Sequence, residues 1–211
     1  MLLKDFWVPK KTKSMAEAEA LNFRAALGEQ DSFRPDALGI AECVLDALIG
    51  CELVVCDDSE MLGVEAYTQH IPALGTRLFV KASLVARLQQ EHPDPRARFT
   101  LAHEFGHIVM HRGRSETGIP STQMRMAPAR GLAAANQKSP YLPAEFSGET
   151  QANWFASEFL MPKHLVRECF SAEDVHKRFN VSRRAAEIKW AELNPQDQNQ
   201  DYFKELRKIL K

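Results

Sequence analysis

Hydrophobic and polar residues fall along this chain in stretches whose period changes from helical to extended and back. Residues 15 to 27 alternate alanine with glutamate and carry Leu21, Phe23 and Leu27, which predicts a helix after a basic leader. Asp36 to Ile49 predicts a second, with Pro35 ahead of it and Gly50 suited to its C-terminal end. Short β-rich runs follow at Leu53 to Cys56, Gly63 to Thr68 and Arg77 to Lys81, divided by Asp57, Asp58 and Ser59 and then by Pro72 and Gly75. They predict a small sheet of about three strands. Leu84 to Gln90 reads as a helix and residues 92 to 95, HPDP, as a turn. Arg96 to Arg112 then reads as a long helix, because Leu101, Phe105, Ile108 and Val109 recur at i, i+4, i+7 and i+8 with one face in a core. Another helix runs from Glu149 and is ended by Pro162. Ser171 to Leu193 predicts two short helices joined at Asn180, Val181 and Ser182, with a capping-box pattern at Ser171 and Asp174 and a good cap at Ser182. Asp201 to Leu210, carrying Phe203, Leu206 and Leu210, predicts a last amphipathic helix. The layout is helix-rich α+β, with the sheet beside the long helix.

Residues 113 to 148 interrupt this rhythm. They hold four prolines and few large apolar residues before Tyr141, the composition of a long loop, and loops of that length inside a domain are functional or disordered. From Arg112 to Glu145 there are five basic residues against two acidic ones, so the segment is read either as a lid or nucleic-acid contact, with Arg114, Arg125 and Arg130 as its contacts, or as a solvated insertion.

Composition narrows the class without naming it. The chain has 211 residues, 45% of them hydrophobic, enough to bury a full core. We expect residues 1–170 to form the main domain, with 113–148 inserted, and residues 171–211 to form a helical segment packed on it. The formal net charge of −1 gives the whole molecule no strong pull toward nucleic acid or membrane. Cys43, Cys51, Cys56 and Cys169 lack paired metal spacing and are expected to be buried, reduced thiols. The chain begins without the apolar run of a signal peptide and has no run of membrane-spanning length, so a cytoplasmic protein is expected.

The chemistry is concentrated in the long helix. Its segment FTLAHEFGHIVMH, Phe99 to His111, holds His103, Glu104 and His107 in HExxH spacing. Residues four apart on a helix are rotated by about 400° and separated by about 6 Å, so both imidazoles project from one face and can reach one cation. Glu104 lies one residue around from that face, where a carboxylate can take a proton from an attacking water, the general base of a metallopeptidase. His111 continues the i, i+4 series, but one helix does not easily turn three imidazoles onto a tetrahedral ion, and it is read as a neighbour.

A catalytic zinc site needs a third protein ligand. The helix ETQANWFASEFLMP, Glu149 to Pro162, offers Glu149 and Glu158, which nine residues place about 180° apart, so only one can face the metal. Glu149 is favoured, because Asn153 shares its face and can orient a ligand carboxylate; Glu158 is then expected to face solvent. Glu145 stays open as a candidate, although Ser147 and Gly148 break the helix before reaching it. For the oxyanion of the tetrahedral intermediate, Tyr141, His70 and Arg112 are equal candidates.

RFTLAHEFGHIVMH together with ExxANWFASEFLMP resembles the ImmA/IrrE family of zinc metallopeptidases, over roughly residues 36 to 193. The resemblance implies a zincin-like domain, Zn2+ as cofactor, His103, His107 and Glu149 as its ligands and Glu104 as catalytic base. It implies a protein substrate, a helix-turn-helix repressor, in mobile-element or stress and DNA-damage control. The insertion at 113–148 departs from the common pattern and bears on access and regulation, for which single-stranded DNA is a candidate ligand.

The two short helices of 171–193 have a helix-turn-helix outline and support a second reading, a DNA-binding regulator with a structural or vestigial zinc. Against it, Lys177, Arg178, Arg183, Arg184 and Lys189 are opposed by Glu173, Asp174, Glu187 and Glu192, a net of +1, less basic than a dedicated reader.

Overall fold

The computed structural model describes residues 6–61, 63–71, 75–111 and 142–195. Most of the 113–148 insertion and the helix expected at 201–210 lie outside these residues.

Helix α1 (Lys13–Ala26) opens on Thr12, whose side chain accepts from the Met15 amide. Asp36 caps α2 (Ala37–Gly39), which passes through a π-helical turn (Ile40–Val44) into α3 (Leu45–Ile49). The expected single helix over 36–49 therefore contains a wider turn, which apolar periodicity does not reveal. It stops at Gly50, whose φ of 57° suits a residue without a Cβ. Strands β1 (Cys51–Cys56), β2 (Ala66–Ile71) and β3 (Gly75–Lys81) form one sheet in the order β1-β3-β2. β3 is central, parallel to β1 and antiparallel to β2. The second strand begins three residues later than its composition predicts, because Gly63, at φ 79°, still belongs to the preceding turn.

Helix α4 (Ala82–Leu88) leads to α5 (Pro95–His111), which packs between the sheet and α6 (Gly148–Leu160). The expected one-sided helix is buried almost all round, with Thr100, His103, Glu104, His107 and His111 among its buried residues. Such a placement puts polar groups in a low dielectric, where each needs a partner. α5 and α6 approach closely at Gly106: a Cβ there would lie 3.0 Å from the Ala152 Cα and 3.2 Å from its carbonyl oxygen.

The short α7 (Lys163–Val166) is followed by α8 (Ala172–Phe179) and α9 (Arg183–Leu193), capped by Ser171 and Ser182 as their residue types predict. Val175, Phe179, Val181 and Ala186 belong to the same apolar core as Phe23, Phe105, Phe155 and Phe159. Cys51 and Cys169 are buried, but Cys43 is exposed on the π-helical turn, contrary to the expectation of burial.

Glu158 is a second correction. It does lie away from Glu149, yet it is 1% exposed instead of solvent-facing: its carboxylate pairs with Lys189 at 2.6 Å and accepts from the Lys163 amide at 2.9 Å. The partner of Glu158 comes from α9, which single-helix geometry does not disclose. Among the described residues no helix is long and apolar enough to cross a membrane.

Candidate metal centre

Two helices bring the site together. α5 presents His103 and His107 one turn apart, and α6 presents Glu149 in its first turn, immediately after the Ser147 cap. One ligand atom from each of the three lies within 4.8 Å of the others. The His103 and His107 Nε2 atoms are 2.9 Å apart, and the Glu149 carboxylate is 3.4 Å from the first and 3.7 Å from the second. Two imidazole nitrogens and a carboxylate oxygen match the ligand chemistry of zinc.

Each imidazole is held from behind. His103 Nδ1 lies 2.9 Å from the Asn153 Oδ1, so it donates there and leaves Nε2 turned to the cluster. Asn153 therefore orients the His103 imidazole. His107 Nδ1 lies 3.0 Å from His111 Nδ1, whose own Nε2 is 3.0 Å from the Gln151 Oε1. These outer contacts suit the donor set to a cation, because a histidine binds metal through the nitrogen that its other hydrogen bond leaves bare.

Glu104 is 2% exposed, and one carboxylate oxygen accepts from the Thr68 hydroxyl of β2 at 2.8 Å. Burial pushes its carboxyl up to about 7, with the Glu149 charge adding to the rise and the His103 charge and the Thr68 bond opposing it. Burial also disfavours charge on both histidines. At His103 the Glu149 hydrogen bond and charge, together with Glu104, outweigh it and raise the pKa; at His107 the neighbouring His103 and His111 reinforce it, and the pKa lies well below 6.5. Glu149 and Glu104 thus favour positive charge at the point where a cation would lie.

Thr68, Gln151 and Phe6 escaped sequence reasoning. The Phe6 ring packs 5.6 Å from that of His107, tilted, and 5.7 Å from that of His111, edge-on, and the Trp7 backbone bridges Ser147 next to the cluster. A sequence signal existed only for His111, in the continued i, i+4 series. Glu145 lies in a 3-10 turn, Ala144–Phe146, and pairs with Lys10, outside the cluster. Of the oxyanion candidates, His70 sits two residues from Thr68 on β2, hence on the same face, with Nδ1 3.0 Å from the Thr76 hydroxyl oxygen. Tyr141 and Arg112 lie outside the described residues, as do Arg114, Arg125 and Arg130.

A family model described as the IrrE N-terminal-like domain, Peptidase_M78, matches residues 72–191, more than half of the chain. No curated protein matches it.

Proposed function

The chain belongs to the IrrE N-terminal-like family of metallopeptidases, and from that premise we propose that it is a zinc-dependent endopeptidase acting on a cognate protein, a helix-turn-helix transcriptional repressor. The observation that carries the reading is the convergence of His103, His107 and Glu149 beside a buried Glu104. His103 and His107 through Nε2, and Glu149 through its carboxylate, would hold the ion. When bound, zinc supplies Lewis acidity, which polarises a scissile carbonyl and acidifies water.

The remaining work falls to side chains of the protein. Glu104, with a carboxyl titrating near neutrality, is poised to accept the proton of the attacking water and then to return it to the leaving amine. Thr68 steadies the ionised form and fixes the carboxylate direction. Asn153 and His111 hold the two imidazoles in orientation. Of the three oxyanion candidates, His70 is the one that lies among the described residues.

The reading as a DNA-binding regulator has less support. Lys189 is buried against Glu158, while Arg183 and Lys177 pair with Glu173 and Arg184 with Glu187. These pairs leave α8 and α9 little free positive charge.

The test is co-expression of the chain with small helix-turn-helix repressors encoded near it, with zinc content measured on the purified protein. The parent is expected to bind one zinc and to remove the full-length repressor; Glu104→Gln should retain zinc and leave the repressor intact, and Glu149→Ala should lose zinc. Cleavage by Glu104→Gln at the parent rate rejects the mechanism.

A further inference from the structure

The contacts behind His107 form a chain whose hydrogen-bond directions are determined from its far end. Gln151 is fully buried, and its amide nitrogen lies 3.0 Å from the Pro9 carbonyl oxygen and 2.7 Å from that of Glu145. Carbonyls only accept, so this atom must be the NH2 group and both its hydrogens are committed. The Gln151 Oε1 then faces His111 Nε2 at 3.0 Å and can only accept, which places a hydrogen on that nitrogen. In a neutral His111 this leaves Nδ1 as an acceptor, and the atom 3.0 Å away is His107 Nδ1. His107 must therefore donate through Nδ1, and its Nε2 is left bare toward His103 and Glu149.

We propose that Gln151 and His111 are positioning residues that fix the hydrogen of His107 on Nδ1, present its Nε2 lone pair to the metal, and thereby set the affinity of the site for zinc. The inference rests on the zinc reading above and adds to it Gln151 and the direction of each hydrogen bond. The arrangement uses backbone as its reference: Pro9, ahead of α1, and Glu145, ahead of α6, anchor the amide, so the imidazole is oriented by two chain segments remote from α5. Loss of such an outer contact weakens metal binding by about 10- to 100-fold.

Zinc affinity, measured by competition with a chromophoric chelator, is the readout, with the visible spectrum of the cobalt-substituted protein as a report on ligand geometry. His111→Phe removes the acceptor and is expected to bind zinc about 10- to 100-fold more weakly than the parent. His111→Asn places an amide oxygen near the position of the lost Nδ1 and is expected to stay within roughly threefold of the parent, since the hydrogen bond to His107 persists. Gln151→Leu keeps the volume but frees the direction of His111, and should weaken zinc binding in the parent background only. In the His111→Asn background, where no imidazole is left to orient, it should have no further effect.

A purely structural role for Gln151 predicts equal losses in both backgrounds, and that result overturns the proposal. So does parent-like affinity in a folded His111→Phe. If the parent itself binds no zinc, the reading on which the proposal rests fails together with it. If the parent and Glu149→Ala differ as expected while the His111 and Gln151 variants match the parent, only the relay is rejected.

Discussion

An imidazole coordinates a cation only through a nitrogen that carries no proton, so metal and proton compete for His103. Because its pKa is raised by Glu149 and Glu104 despite burial, the folded protein holds this proton to a pH above the ordinary 6.5. Binding zinc expels it, and apparent affinity must fall as the pH falls. We expect the decline to begin above pH 6.5 in competition titrations; an affinity flat between about pH 8 and 6 contradicts this. Thr68 acts on the other carboxylate. Its hydroxyl favours the ionised form of Glu104, so Thr68→Val should push that carboxyl further up, move the acid limb of the cleavage profile to higher pH and slow neutral cleavage by about tenfold, with zinc content unchanged. Superimposable profiles for parent and variant would show that Thr68 only packs.

At the level of elements, what the sequence disclosed was what neighbouring residues decide together. Thr12, Ser147, Ser171 and Ser182 accept from amides three residues on, and of these Ser171 and Ser182 are the caps that the sequence predicts. HExxH was legible for the same reason: both histidines lie on one turn of one helix. Thr68, thirty-six residues from Glu104, and Gln151, forty from His111, were not, since no local pattern encodes which strand or helix will arrive beside α5. Glu158 failed for this cause too, because α9 supplies its partner from outside α6. Removing that partner is informative about how the elements are held. Lys189→Met would leave a buried carboxylate with the Lys163 amide alone and is expected to cost about 3–5 kcal/mol, read as a lowered denaturation midpoint. Adding Glu158→Gln should recover most of the loss; an unchanged midpoint in Lys189→Met would mean that water replaces the ammonium.

Over the whole molecule, the family match, the helix-rich layout and the three-strand sheet agree with the sequence reading, and the π-helical turn and the buried face of α6 are what it lacked. The Gln151 side chain has one more consequence. It touches His111, the last residue of α5, and the Glu145 carbonyl just ahead of α6, so a single amide ties together the two points between which residues 112–144 depart and return. The ends of that excursion are fixed by the site itself. Closing a flexible chain between fixed ends costs free energy that grows with the logarithm of its length, about 0.6 kcal/mol per doubling. With both ends held, chain closure alone makes a change in the length of this segment inexpensive. Replacing residues 113–141 by a glycine-serine chain of about half the length should change stability by less than about 1 kcal/mol and leave zinc affinity within about twofold. A large loss of zinc affinity in this variant, with unfolding unchanged, would show that residues within 113–141 help to hold the metal.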